Sequence, residues 1–236
     1  MFHGKMKALT FSFDDGVTQD IRLIELMNKY GLRGTFNLNS ANFGMVGKLD
    51  FVSPAGILVK RDIIARELVP EVYKGHEVSS HTLHHPILPP LSEEEIIREV
   101  EEDRLALSEI VGYNVQCLAY PGGGVNNDDR VADIVKRNTG IKFARTITST
   151  GNFEPQENLY RFNPSVNFDN MDVLHSLGRQ FVELKADTPK IFYIWGHSYA
   201  MDCYNDFWDR LEEFFNLISN RDDIFYGTNS EVFLNK

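Results

Sequence analysis

The stretch Ala8-Leu9-Thr10-Phe11-Ser12-Phe13-Asp14-Asp15-Gly16 decides the fold class, because an apolar run there ends abruptly in two carboxylates. An apolar run closed by a polar terminus reads as a buried strand of an α/β sheet. Such proteins carry their chemistry at the carboxyl ends of the strands. A second short run, Glu77-Val78-Ser79-Ser80, leads in the same way into His81-Thr82-Leu83-His84-His85-Pro86.

Outward from the first strand, taken as Lys7–Phe13, helical and extended patterns alternate. Gln19–Tyr30 carries Ile21, Ile24, Leu26 and Met27 at roughly helical spacing, and Gly31 follows as a C-cap would. Further strands are expected at Gly34–Asn39, Glu77–His81, Val115–Tyr120, Lys142–Thr146, Lys190–Trp195 and Ile224–Tyr226, with a short one near Tyr160–Asn163. Helices are expected at about Arg61–Tyr73, from Ser92 to about Val111, and at Asn127–Asn138, Asp169–Ala186 and Tyr204–Ser219. Ser92 with Glu95 has the form of a capping box. The long, glycine-bearing connection Ser40–Lys60 suggests a loop that shapes a pocket. Alternation on this scale predicts a mostly parallel sheet with crossover helices, either a barrel or an open doubly wound sheet. No boundary interrupts it, so residues 1–236 read as one domain.

A chain of 236 residues is long enough to bury a full core. Its 24 basic and 34 acidic residues give a formal charge of −10, which disfavours nucleic acid as a partner, since that affinity rests on Lys and Arg contacts to phosphate. A neutral substrate such as a sugar is compatible with this balance. Cys117 and Cys203 are the two cysteines, too far apart in sequence to suggest a staple. The first six residues are too short and polar for a signal peptide, and no apolar segment approaches the roughly 20 residues that span a bilayer. A cytoplasmic protein without a membrane partner is therefore expected.

Asp14-Asp15-Gly16 taken alone reads equally well as a turn and helix cap. Placement argues otherwise, because two adjacent like charges repel in a partly buried crevice unless a cation lies between them. A divalent metal on Asp15 removes that cost and leaves Asp14 ionised as a general base. His81 and one of His84 or His85 can share a face on a helical turn after the strand; spacing does not choose between i+3 and i+4. Pro86 suggests that the turn ends at His85. One carboxylate and two imidazoles make a catalytic metal set with a position open to water. His3, His76 and His175 read as structural.

Tyr120-Pro121-Gly122-Gly123-Gly124 lacks the lysine and spacing of a phosphate loop, but small residues let backbone N–H groups approach a substrate and serve an oxyanion. His197 ends the run Ile191–Gly196 and suits proton transfer near neutral pH. Arg145 is the cation expected at this edge, and Trp195 and Tyr199 are candidates to line a sugar site.

These segments together resemble the polysaccharide deacetylase family, the family-four carbohydrate esterases, from Lys7 to about Tyr226. That family's Thr-Phe-Asp-Asp-Gly is matched by Ser12-Phe13-Asp14-Asp15-Gly16, which implies Asp14 as base and Asp15 as metal ligand. His-Ser/Thr-x-x-His-Pro is matched by His81–Pro86 and selects His81 and His85 as ligands. A terminal histidine acting as acid is matched by His197, and Gly122 falls where the oxyanion donor belongs. The third motif, Arg-x-Pro-Tyr-Gly, departs: Ala119 stands for the arginine and Gly122 for the tyrosine. The fourth motif, an Asp near a Trp, has no visible match. Arg145 is expected to replace the missing arginine and contact Asp14.

The resemblance implies a distorted (β/α) barrel with seven or eight mostly parallel strands. It also implies a divalent ion, zinc first with cobalt, nickel or manganese as alternatives, and an acetylated saccharide substrate. Rival readings are hydrolysis of a C–N bond in a cyclic amide or ureide, and a degenerate sugar-binding module.

Overall fold

The expected parallel sheet forms in the computed structural model, which describes residues 2–235, and it curls into a half-barrel. In chain order the strands are β1 (Lys7–Asp14), β2 (Thr35–Leu38), β3 (Phe51–Val52), β4 (Leu58–Val59), β5 (Glu77–Ser80), β6 (Cys117–Ala119), β7 (Phe143–Arg145), β8 (Val166–Asn167), β9 (Lys190–Gly196) and β10 (Ile224–Tyr226). The hairpin β3–β4 stands apart and is antiparallel. The other eight strands make one sheet in the order β7-β6-β5-β2-β1-β9-β8, with β10 added on β1. Its ladders are all parallel.

All eight residues of β1 are buried, as a central strand covered on both faces must be. One edge of β1 pairs with β9 over seven rungs, from Lys7–Lys190 to Phe13–Gly196. The other edge takes β10 near its start and β2 near its end, where Asp14 lies beside Asn37. Parallel register therefore brings the carboxyl ends of β1, β2 and β9 to one rim of the sheet. Phe11, Phe13, Phe36, Phe168 and Phe192 pack the core beneath that rim.

The helices are α1 (Gln19–Lys29), α2 (Val69–Val72), α3 (Glu93–Ile97), α4 (Asp103–Val111), α5 (Asp129–Asn138), α6 (Met171–Glu183), α7 (Phe207–Ile218) and α8 (Asn229–Phe233). Ser92 and Glu95 make the expected capping box on α3. Among the described residues no helix is long and apolar enough to cross a membrane. Cys117 and Cys203 are free thiols.

Two local expectations need correction. Residues 61–65 are not helical; a 3-10 turn at Arg66–Leu68 leads into the short α2, whose first turn holds Pro70. Tyr160–Asn163 is not a strand but makes a single bridge, Phe162 to Arg145, and the strand in that region is β8. The connection Ser40–Lys60 does line a cavity, through Asn42, Met45 and Leu49, and within it lie a 3-10 turn, Ser40–Asn42, and the β3–β4 hairpin.

Candidate metal centre

Asp15, His81 and His85 converge, each offering a ligand atom within 4.8 Å of the others. Asp15 Oδ1 lies 3.7 Å from His81 Nε2 and 3.5 Å from His85 Nε2. Two ligand atoms bonded tetrahedrally to one ion at about 2.0–2.1 Å stand roughly 3.4 Å apart, so this donor set fits a metal.

Local backbone chemistry produces the convergence. Asp15 has φ +81°, Thr82 +69° and His85 +65°, conformations rare outside glycine and found where surrounding structure enforces them. The expected helical turn at His81–His85 is therefore absent, and two left-handed residues turn the chain instead. The choice between neighbouring histidines is made by Glu99, which accepts from the His84 N–H at 3.0 Å and contacts its Nδ1 at 2.9 Å. Glu99 belongs to a π-turn, Arg98–Glu102, between α3 and α4. Gly16, φ +67°, permits the sharp exit: a Cβ there would lie 2.8 Å from Leu38 Cδ2.

The buried His81 ring contacts the Ala119 carbonyl through Nδ1 at 2.8 Å, which fixes Nδ1 as donor and leaves the Nε2 lone pair facing Asp15. Burial lowers the pKa of His81 to about 4, so the ring is neutral at pH 7, as a ligand must be.

Asp14 is buried beside the cluster and takes its own cation. Arg145 Nη2 donates to both carboxylate oxygens, at 2.5 and 2.6 Å. Its other nitrogens donate to Ser12 Oγ and the Thr146 carbonyl, and its guanidinium lies over the Trp195 ring. Asn37 Nδ2 adds a donor to Asp14 at 2.8 Å. Burial alone would raise the Asp14 pKa, but Arg145, His81 and His197 outweigh it and the net shift is downward. Asp15 is likewise lowered against its burial, by His197, His81, His85 and Arg61.

His197 emerges directly after β9, with Nε2 4.0 Å from Asp15 Oδ2 and its ring against Tyr199. Gly122, φ +82°, sits on the loop after β6; a Cβ there would meet Ile87 at 2.9 Å. Trp195 and Tyr199 are not open stacking faces, because Arg145 covers one ring and Arg61 the other.

Two residues of this rim were missed by sequence reasoning. Arg61 Nη2 donates to Asp15 Oδ2 at 2.6 Å. Asp169 follows β8; burial raises its pKa while His197 pulls it down, and its Oδ1 is buried without a partner. The position of Asp169 past a strand end was its one legible signal.

Behind the rim, the fully buried Asp20 accepts from Ser198 Oγ at 2.5 Å and Tyr73 OH at 2.8 Å. Burial raises its pKa from 3.8 to about 7. The native state then holds a proton that the unfolded chain releases, so stability falls as pH climbs from 3.8 toward 7 and levels off above. Asp20→Asn is expected to flatten that fall, which urea midpoints at pH 5 and pH 8 would reveal. A slope equal to the wild-type one would mean Asp20 is ionised throughout.

A cavity of about 320 Å³ opens beside Asp15 and His85. A larger one, about 570 Å³, lies between Phe2, Leu159, Ile191 and Phe233 and touches none of the site residues.

A family model described as polysaccharide deacetylase matches residues 3–143. The chain is 24% identical over 122 residues to the peptidoglycan-N-acetylglucosamine deacetylase PgdA of Listeria monocytogenes, covering 51% of this chain and 22% of that protein. It is 25% identical over 126 residues to the peptidoglycan-N-acetylmuramic acid deacetylase PdaC of Bacillus subtilis, 52% of this chain and 23% of that one. The alignments thus span less than a quarter of either relative. The solved PdaC structure superposes with a TM-score of 0.55 at 17% identity, over 96% of this chain and 90% of the other, a likeness of fold.

Proposed function

The chain belongs to the polysaccharide deacetylase family, and from that premise we propose that it is a metal-dependent hydrolase removing acetyl groups from an N- or O-acetylated saccharide. One observation carries the reading: three ligand atoms converge while a second carboxylate, Asp14, stays outside the cluster on its own arginine. A structural ion needs only the first of these, whereas hydrolysis needs both.

Asp15, His81 and His85 would hold the ion, with zinc favoured by a set of three protein ligands. A divalent ion there supplies Lewis acidity and makes bound water more acidic. Asp14 acts as general base. Its lowered pKa keeps it ionised at pH 7, and Arg145 and Asn37 hold the carboxylate in one orientation. The weak basicity that follows is tolerable only toward an acidified water, so ligands and base work as a unit. The Gly122 N–H is the oxyanion donor. His197, which emerges at the end of β9 with Nε2 4.0 Å from Asp15 Oδ2, protonates the departing amine or alcohol.

Metal analysis of the purified protein, with acetate release from N-acetylglucosamine oligomers, tests the proposal. The wild type is expected to carry a stoichiometric ion and release acetate; His81→Ala is expected to lose most of the ion after dialysis and all turnover. Acetate release at wild-type rates by metal-depleted protein would refute it.

A further inference from the structure

Resting on that reading, we propose that the cavity beside Asp15 is a recognition site for a carboxylate carried by the saccharide, with Arg61 as its specificity-determining residue. Arg61 reaches the rim from the β3–β4 hairpin, outside the sheet. Its guanidinium lies 4.2 Å above the Tyr199 ring, and its backbone N–H is held by Asp50 Oδ1 at 3.1 Å. Phe51 of β3 packs edge-on against the same tyrosine. A long arginine fixed at its root, along its face and at its tip has already lost much of the freedom that binding would otherwise remove.

The two oxygens of Asp15 are divided. Oδ1 faces the imidazoles and Oδ2 takes Arg61, so an ion on the ligand cluster does not require the arginine to leave. Of the five N–H donors in a guanidinium, the contacts found among the described residues use Nη2 alone; Nε is buried, so the donors left to a ligand are those of Nη1. Among the residues lining the cavity Asp15 is the only acid, and Arg61 already offsets its charge. The nearby acids of the loop are engaged: Asp50 pairs with Lys60 at 2.9 Å and Asp62 accepts from the Gly47 N–H. A divalent ion would therefore leave the cavity with an excess of positive charge, flanked by Asn42 and His84. A partly enclosed cationic cavity with spare donors selects an anion, and a guanidinium fork suits a carboxylate. On a chain of net charge −10 this is a local inversion of sign. A neutral sugar leaves that excess uncompensated, whereas a sugar bearing a carboxylate near its acetyl group cancels part of it.

Titration calorimetry on the zinc-loaded protein tests this, with N-acetylmuramic acid, N-acetylglucosamine and lactate as probes of wild type, Arg61→Gln and Arg61→Lys. The wild type is expected to bind N-acetylmuramic acid about tenfold tighter than N-acetylglucosamine, the scale of one charge-assisted contact. Arg61→Gln is expected to lose that ratio and Arg61→Lys to retain part of it. Equal affinities in the wild type, or an unchanged ratio in Arg61→Gln at full metal content, overturn the anion site and leave the saccharide reading standing. Lactate bound by wild type but not by Arg61→Gln, with neither sugar bound, keeps the anion site and removes the saccharide. Binding of no carboxylate at all overturns the proposal.

Discussion

Arg145→Met is expected to lose about 3–5 kcal/mol of stability, because it strands a buried carboxylate without its cation. Arg145 is fully buried, so water cannot replace the bonds it makes to Asp14, Ser12 and Thr146. With the guanidinium gone, burial dominates and Asp14 shifts up from its lowered value. The base would then take up its proton at a higher pH than in the wild type, and the kcat profile should move to the alkaline side. Denaturant midpoints and a pH–rate profile measure the two effects separately. Adding Asp14→Leu to Arg145→Met should restore most of the stability and none of the activity, since an apolar pair replaces the ion pair. A single variant as stable as wild type would show that the pair contributes nothing net.

Asp14→Asn is expected to retain the ion and lose about 10²- to 10⁴-fold in kcat, the range for removing a general base. Asn is nearly the same shape and its Oδ1 still accepts from Arg145 and Asn37. Its amide nitrogen cannot accept the second Arg145 bond, so a loss of stability from the unpaired guanidinium accompanies the loss of rate. Asp14 is also outside the ligand cluster, so metal content should match wild type. Metal analysis beside steady-state rates on any cleaved acetylated substrate gives both numbers. Wild-type turnover in Asp14→Asn would remove Asp14 from the base role and leave Asp15 and the imidazoles untouched.

The rim was legible wherever a residue sits at the end of a patterned strand. Asp14, Asp15, His81, Arg145 and His197 all follow or close runs that read as extended, and parallel register does the rest. The contact between Arg145 and Asp14 followed from noticing that Ala119 cannot serve. His84 and His85 were indistinguishable by spacing because the deciding partner, Glu99, lies fourteen or fifteen residues away on a π-turn. Arg61 was invisible for a different reason. It follows a hairpin of two-residue strands, too short to carry a period, and apolar neighbours such as Ile63, Ile64 and Val69 imitate a helix. Asp169 was obscured by β8, again two residues long. Pattern reading fails here where an element is no longer than a single repeat.

In the β6–β7 ladder Ala119 and Arg145 occupy the same rung. Neighbouring strands stand about 4.8 Å apart, a gap that an extended arginine side chain easily bridges. One seat lies on β6 and the other on β7, and a guanidinium launched from either can reach the same acid. Vacating the first seat for alanine and filling the second is thus a sideways move of a single charge, invisible to any signature spelled as consecutive letters. Chains of this architecture that look broken at the tripeptide before the glycines need to be inspected across the rung before they are judged inert.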